Sequence, residues 1–249
     1  MPKYTGRKAV VVGGTAGIGL AITKRLVEGG ARVLLTGGAG NGFTDVAGQL
    51  GSAASLVACD LSAEGAVAAF ASAAESAFGT VDMLFFSAES GTVERLAEPE
   101  AKSGTERYGR QSTAAAKGAY FPVPALAALV ADDGAIVFTT VTADTCRSGM
   151  PDAGVHAFVR ALAVELADRG VRVNAVSPGA IDTLAEDAAR GPRRYTAPPL
   201  GRRGSVDEVA RAAVFLAADA TFTTGTVLAV DGGLSSSGGR PRPHPAPQD

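Results

Sequence analysis

Three groupings in this chain combine residue types and spacing that could do chemistry. The first is the loop Gly13-Gly14-Thr15-Ala16-Gly17-Ile18-Gly19. Glycines at that spacing let backbone amides approach a pyrophosphate, and a following helix adds free N–H groups and the positive end of its dipole. The second is Thr140 and Thr142, at the end of an apolar run. Their hydroxyls could hydrogen-bond a substrate carbonyl, although threonine on a strand is also ordinary. The third is Glu89, which follows Phe85 and Phe86. Apolar neighbours would raise its pKa and suit it to acid/base work; a solvated loop carboxylate would do none.

Other residues read more plainly. Asp144 and Asp152 suit turns or helix caps. His156 falls one helical turn after Asp152 and could pair with it as a base, but a structural histidine is the favoured reading. Cys146 would be a nucleophile only with a base beside it, and none is evident. No metal-ligating set is read. Tyr4 and Lys8 form the single Tyr-x-x-x-Lys, and they precede the first strand, so the motif reads as a decoy.

These groups need elements to hold them. Short apolar, β-branched runs predict strands over residues 8–12, 32–36, 55–59, 81–86, 135–140, 171–176 and 227–230. Helical spacing predicts helices over 20–29, 63–78, 114–130, 153–169 and 206–217. Strand and helix alternate throughout, which predicts an α/β, doubly wound, seven-stranded parallel sheet with helices on both faces. The glycine loop falls between the first strand and the first helix. A single domain is expected over 1–235, with a Ser/Gly/Pro-rich tail over 236–249.

With 249 residues, 46% of them hydrophobic, the chain can fill the core of one large domain. No apolar run is long enough for a membrane span, and the N-terminus has no apolar signal core, so a cytoplasmic location and no membrane partner are expected. Cys59 and Cys146 do not make a disulfide framework. A net charge of −2 gives no reason to expect nucleic acid.

The chain resembles the short-chain dehydrogenase/reductase family over roughly residues 6–235. Gly13, Gly17 and Gly19, with Ile18, match its glycine signature. Asp60-Leu61 matches its adenine-contacting position. Residues 172–179, ending in Pro178-Gly179, match the strand and turn beside the nicotinamide, and Ile181-Asp182-Thr183 the segment touching the carboxamide. Residues 199–202 and 225–233 match its C-terminal signatures. The resemblance implies a Rossmann-type fold, NAD or NADP as cofactor, and a small-molecule substrate. It also implies a homodimer or homotetramer built through the helices at 114–130 and 153–169.

The resemblance also defines what is missing. The family reduces carbonyls with a Tyr acid, a Lys one turn later, a Ser and an Asn. Here there is no tyrosine between residues 121 and 194 and no lysine after Lys117. Counting from Asn174, the Lys place falls at Asp152 and the Tyr place at Ser148. The Ser place falls at Val141 and the Asn place at Ala115. The segment between Asp144 and Ala153 reads as shortened. At the adenosine ribose, Gly37 and Gly38 stand where an acid or base would select the cofactor, and Ala16 stands where a phosphate-binding base often occurs. The family's Asn-Asn-Ala-Gly reads Phe86-Ser87-Ala88-Glu89. Nucleotide affinity is therefore expected to be weak or absent, the alternative being that the glycine loop still binds NAD(H) through its backbone. Arg190, Arg193, Arg194, Arg202 and Arg203, with Tyr195, fall in or beside the substrate lid, where they would be solvated or attract an anion.

Three functions follow as expectations. The first is a repurposed, non-redox enzyme of cyclase, dehydratase or isomerase type, of bacterial secondary metabolism, using the emptied cleft. The second is a non-catalytic pseudoenzyme subunit in a hetero-oligomer with an active paralogue. The third is an NAD(P)-dependent oxidoreductase with an atypical proton donor such as Ser148.

Overall fold

The computed structural model describes residues 2–37, 43–61, 63, 65–87, 122–140, 150–182 and 198–237. Its strands are apolar on both sides, and that dictates a sheet covered on both faces. Along β1 (Lys8–Val12), Ala9 and Val11 enter one core while Val10 and Val12 enter the other. The same alternation runs through β4 (Val81–Ser87) and β5 (Val130–Thr139). With β2 (Arg32–Gly37), β3 (Ala54–Ala58), β6 (Arg172–Pro178) and β9 (Val227–Val230) they form a seven-stranded sheet of order β3-β2-β1-β4-β5-β6-β9. Every pairing is parallel. The order reverses between β1 and β4, where open α/β sheets leave a crevice at the strands' C-terminal ends.

One face carries α1 (Gly17–Glu28), α2 (Phe43–Leu50) and α6 (Val206–Ala218). The other carries α3 (Ala66–Phe78), α4 (Val123–Ala127) and α5 (Met150–Glu165). A two-stranded pair, β7 (Ile181–Asp182) with β8 (Gly204–Ser205), sits beyond β6. No helix among the described residues is long and apolar enough to cross a membrane.

The seven expected strands are present, with one boundary moved far. β5 begins at Val130 rather than 135, and its register against β4 shifts between Val81 and Met83. Asp133 turns the chain there with φ 62°. This start curtails the helix expected over 114–130: α4 ends at Ala127, because Leu129 already accepts a bond from the Val81 N–H. Residues 114–121 lie outside the described residues, as does the expected tail from 238 onward. α2 and the β7–β8 pair were not anticipated.

Partly buried charge ties the ends of these elements. Arg172, at the start of β6, donates to the carbonyls of Leu216 (2.5 Å), Ala217 (2.5 Å) and Ala220 (2.9 Å). It thereby serves the bare carbonyls at the C-terminus of α6 and meets that helix's negative end. Arg25 of α1 grips Asp207 of α6 with two bonds, at 2.5 and 2.7 Å, locking the two helices of one layer together. Arg172→Met should lower the unfolding free energy by about 2 kcal/mol, since several charge-assisted bonds vanish and buried carbonyls lose their donors. Urea denaturation at neutral pH checks this; an unchanged midpoint would mean that water replaces the guanidinium.

Candidate functional site

The crevice between β1 and β4 is roofed by the glycine loop. After Val12 the chain turns with Gly13 at φ 75° and Gly17 at φ 49°, left-handed values that favour glycine. The Gly14 N–H donates to the Thr36 carbonyl at 2.8 Å, so the loop folds over the end of β2. At Gly19 a Cβ would lie 1.9 Å from the Gly13 carbonyl oxygen and 3.1 Å from the Cβ of Ser87. Only glycine lets the first turn of α1 sit so close to the loop and to the top of β4. Ile18, beside it, is partly buried against the α1–α6 layer.

The N-terminus of α1 is left open. Its cap residue, Ala16, has no side chain to accept an N–H, and its first turn holds no acid. The orphan amides at such an end suit an anion. These residues fit a pyrophosphate. The adenosine end fits less well. Asp60 is exposed beyond β3 and Leu61 is half-buried. A Cβ at Gly37 would lie 1.9 Å from Oγ1 of Thr15. Thr15 thus fills the space from which a selecting side chain would start. Cys59 donates to the Ala66 carbonyl, and burial first, then the Asp60 charge, pushes its thiol up, which makes it a poor nucleophile.

Across the sheet, Pro178, Gly179 and Ile181 are all buried at the end of β6 and in β7. The Gly179 N–H donates to Val230. Asn174, fully buried, donates to the Thr223 carbonyl at 2.8 Å and accepts from the Thr226 N–H at 3.1 Å, which ties β6 to the approach of β9. The signature at 172–179 therefore acts first as packing.

Of the proposed catalytic residues, Thr140 is described. It is buried just beyond β5, and its N–H donates to Val176 at 3.0 Å. Glu89, Ala115, Val141, Thr142, Ser148 and Thr183 lie outside the described residues, as do Gly38, Ala88, Asp144, Cys146, Arg190, Arg193, Arg194 and Tyr195. Asp152 falls within the first turn of α5. His156, further along α5, has a buried Nε2 without a hydrogen-bond partner among the described residues.

Tyr4 and Lys8 are at the opposite, N-terminal edge of the sheet. The Tyr4 ring covers Gly29, and Lys8 Nζ donates to Phe78 at 2.8 Å. Arg202 and Arg203 are engaged: Arg202 holds Glu208 with bonds of 2.7 and 3.0 Å, and Arg203 pairs with Asp182 at 3.1 Å. They brace β7, β8 and the start of α6, which argues against a free anion trap. Sequence reasoning missed Ser87 and Thr139, which pair across β4 and β5 at the crevice and are both buried. A hydroxyl as the last residue of an otherwise apolar strand was the available signal. It also missed the capping box Ser205-x-x-Glu208, legible from its spacing.

Comparison with known proteins fits this geometry. Residues 13–235 match the family described as enoyl-(acyl carrier protein) reductase. A cis-4-hydroxycyclohexanecarboxylate dehydrogenase of Sinomonas cyclohexanicum is 33% identical, over 94% of this chain and 98% of its own. The 3-ketoacyl-(acyl-carrier-protein) reductase of Brucella melitensis, solved with NADH, superposes with a TM-score of 0.77 at 30% identity, covering 93% of this chain and 99% of its own. A short-chain oxidoreductase of Pseudomonas aeruginosa PAO1, solved with NADPH and containing an atypical catalytic center, gives 0.79 at 30% identity, over 92% and 96%.

Two outcomes test the site's construction. Gly19→Ala should destabilise the fold by about 1–3 kcal/mol through overpacking against the Gly13 carbonyl, read as a lowered urea midpoint. The Glu208 carboxyl is held down to about 2, by Arg202 first and then by the Ser205 N–H, against an ordinary 4.5. Its folded pKa is depressed, so its stabilising effect is full above the ordinary value and is lost as pH falls through about 2. Melting at about pH 6 and about pH 3 should show a smaller acid-induced drop for Glu208→Gln than for the wild-type chain.

Proposed function

The chain belongs to the short-chain dehydrogenase/reductase family, and we propose that it is a non-redox member, an enzyme of cyclase, dehydratase or isomerase type that uses the family's cleft on a small molecule. The observation that carries this reading is the absence of the acid. A phenol beside an ammonium is what carbonyl reduction needs. No tyrosine lies between residues 121 and 194, and no lysine follows Lys117. The one Tyr-x-x-x-Lys is spent at the wrong edge of the sheet, on Gly29 and Phe78. Asp152, at the lysine's place, brings the opposite charge. A serine hydroxyl at 148 has too high a pKa to replace a phenol well.

What remains suits catalysis by shape and placement. Buried hydroxyls, those of Ser87, Thr139 and Thr140, stand at the ends of β4 and β5. Bacterial secondary metabolism is the setting we infer for such chemistry.

A second reading has its own observation: the roof of the cleft retains a pyrophosphate cradle. A nicotinamide dinucleotide would be held by the backbone around Gly13, Gly17 and Gly19 and by the open N-terminus of α1; bound, it would supply or accept hydride. Asp60, Pro178, Gly179 and Ile181 would flank its two ends. Under this reading the proton donor would be atypical.

Calorimetric titration with NADH and NADPH, followed by a nicotinamide-oxidation assay over a broad carbonyl panel, separates the two. We expect weak binding or none, and no oxidation above background. Robust turnover of any ketone would overturn the non-redox reading in favour of the second.

A further inference from the structure

One corner of the crevice is closed by a side chain from the glycine loop. Thr15 packs against the end of β2, at the buried Gly37. A Cβ built on Gly37 would lie 1.9 Å from Oγ1 of Thr15, 2.5 Å from its Cγ2 and 2.7 Å from its Cβ. Turning the Thr15 side chain cannot relieve this overlap, because its Cβ is itself inside contact distance.

The corner also lacks charge. Residues 33–44, running from β2 into α2, contain no acid and no base, and neither does the glycine loop at 13–19. The Thr36 hydroxyl is spent on the Cys59 carbonyl, at 3.2 Å. Asp60 is exposed beyond β3, one strand further out. What Thr15 brings to the corner is a half-buried, neutral hydroxyl. A hydroxyl both donates and accepts, so it can meet a ribose 2′-hydroxyl or a 2′-phosphate. A carboxylate there would repel the phosphate, and a guanidinium would favour it.

We propose that Thr15 replaces the selecting side chain at the adenosine ribose, so that this chain holds NADH and NADPH alike. Position 37, from which such a side chain would start, is blocked by Thr15 itself. Indifference to the 2′-phosphate is thus built in by packing as well as by composition. An acid cannot be added at 37 unless Thr15 is removed with it. This inference rests on the second reading, in which the cradle retains a nicotinamide dinucleotide.

The test titrates the full chain with NADH and with NADPH by calorimetry and records melting temperatures. The wild-type chain should bind the two with dissociation constants within about threefold of each other. Gly37→Asp should melt about 3–10 °C lower, through overlap with Thr15, and should still not prefer NADH. Thr15→Gly/Gly37→Asp frees the space. It should recover most of that melting temperature and bind NADH at least about tenfold more tightly than NADPH. Thr15→Val, which keeps the shape and drops the hydroxyl, should weaken both nucleotides by a similar factor, about three- to tenfold. A wild-type preference of about tenfold or more for either nucleotide would overturn the inference while leaving the second reading intact. So would a Gly37→Asp chain that keeps its melting temperature and gains a preference for NADH, or a double variant that stays indifferent. Should Gly37→Asp not fold, the wild-type chain and the double variant decide between these outcomes. Binding of neither nucleotide would sink the inference and the second reading together.

Discussion

The cleft depends on one close approach, that of Gly19 to the Gly13 carbonyl. A Cβ at 19 would sit 1.9 Å from that oxygen. The missing side chain lets α1 start directly over the end of β1, with its first amides facing the crevice. The same position sets α1 against Ser87, the last residue of β4. One backbone contact therefore fixes the loop, the helix dipole and the wall of the crevice relative to one another. Arg25 and Asp207 then fasten α1 to α6, and Arg172 fastens α6 to β6.

Scaffold residues of the family are kept where they hold backbone to backbone: the glycines, Asn174, and the Pro178-Gly179 turn. Asp60 is kept as well, whereas Gly37 and Phe86 stand where the resemblance expects polar or charged groups. Gly37 leaves no selecting group, and Thr15 occupies the space. Phe86 stands where the family's motif begins with asparagine, and it is stacked on Phe138 rather than facing a ligand. Packing constraints are cooperative and resist change, because each close contact supports several others. A ligand-facing group supports nothing behind it, so it can be lost without unfolding the chain.

Much of this was legible in the residues. The strands at 8–12 and 227–230 were read to the residue, because β-branched runs bounded by glycine or charge admit few alternatives. The start of β5 was not, because Asp133 bends the strand through a left-handed residue, and nothing in its local pattern announces that. α2 was overlooked because it is short and its apolar face finds its partners only in the tertiary core, through Val46 and Leu50. Thr140 was a candidate from its place at a strand end. That its hydroxyl is buried and has no partner among the described residues was not readable, since burial depends on Val176, Phe138 and the layer around them.

The sequence by itself determined the sheet, its parallel sense, the glycine loop, and the absence of any tyrosine between residues 121 and 194 and of any lysine after Lys117. Each is a matter of periodicity or of a residue type being present at all. Tertiary structure alone decided which remaining polar groups could act. It spent Arg202 on Glu208 and Arg203 on Asp182, and it turned Tyr4 and Lys8 to the far edge. It left Thr140 buried above an aromatic stack. The physical reason is that a side chain's chemistry is set by its solvation and its partners, and both come from elements distant in the chain.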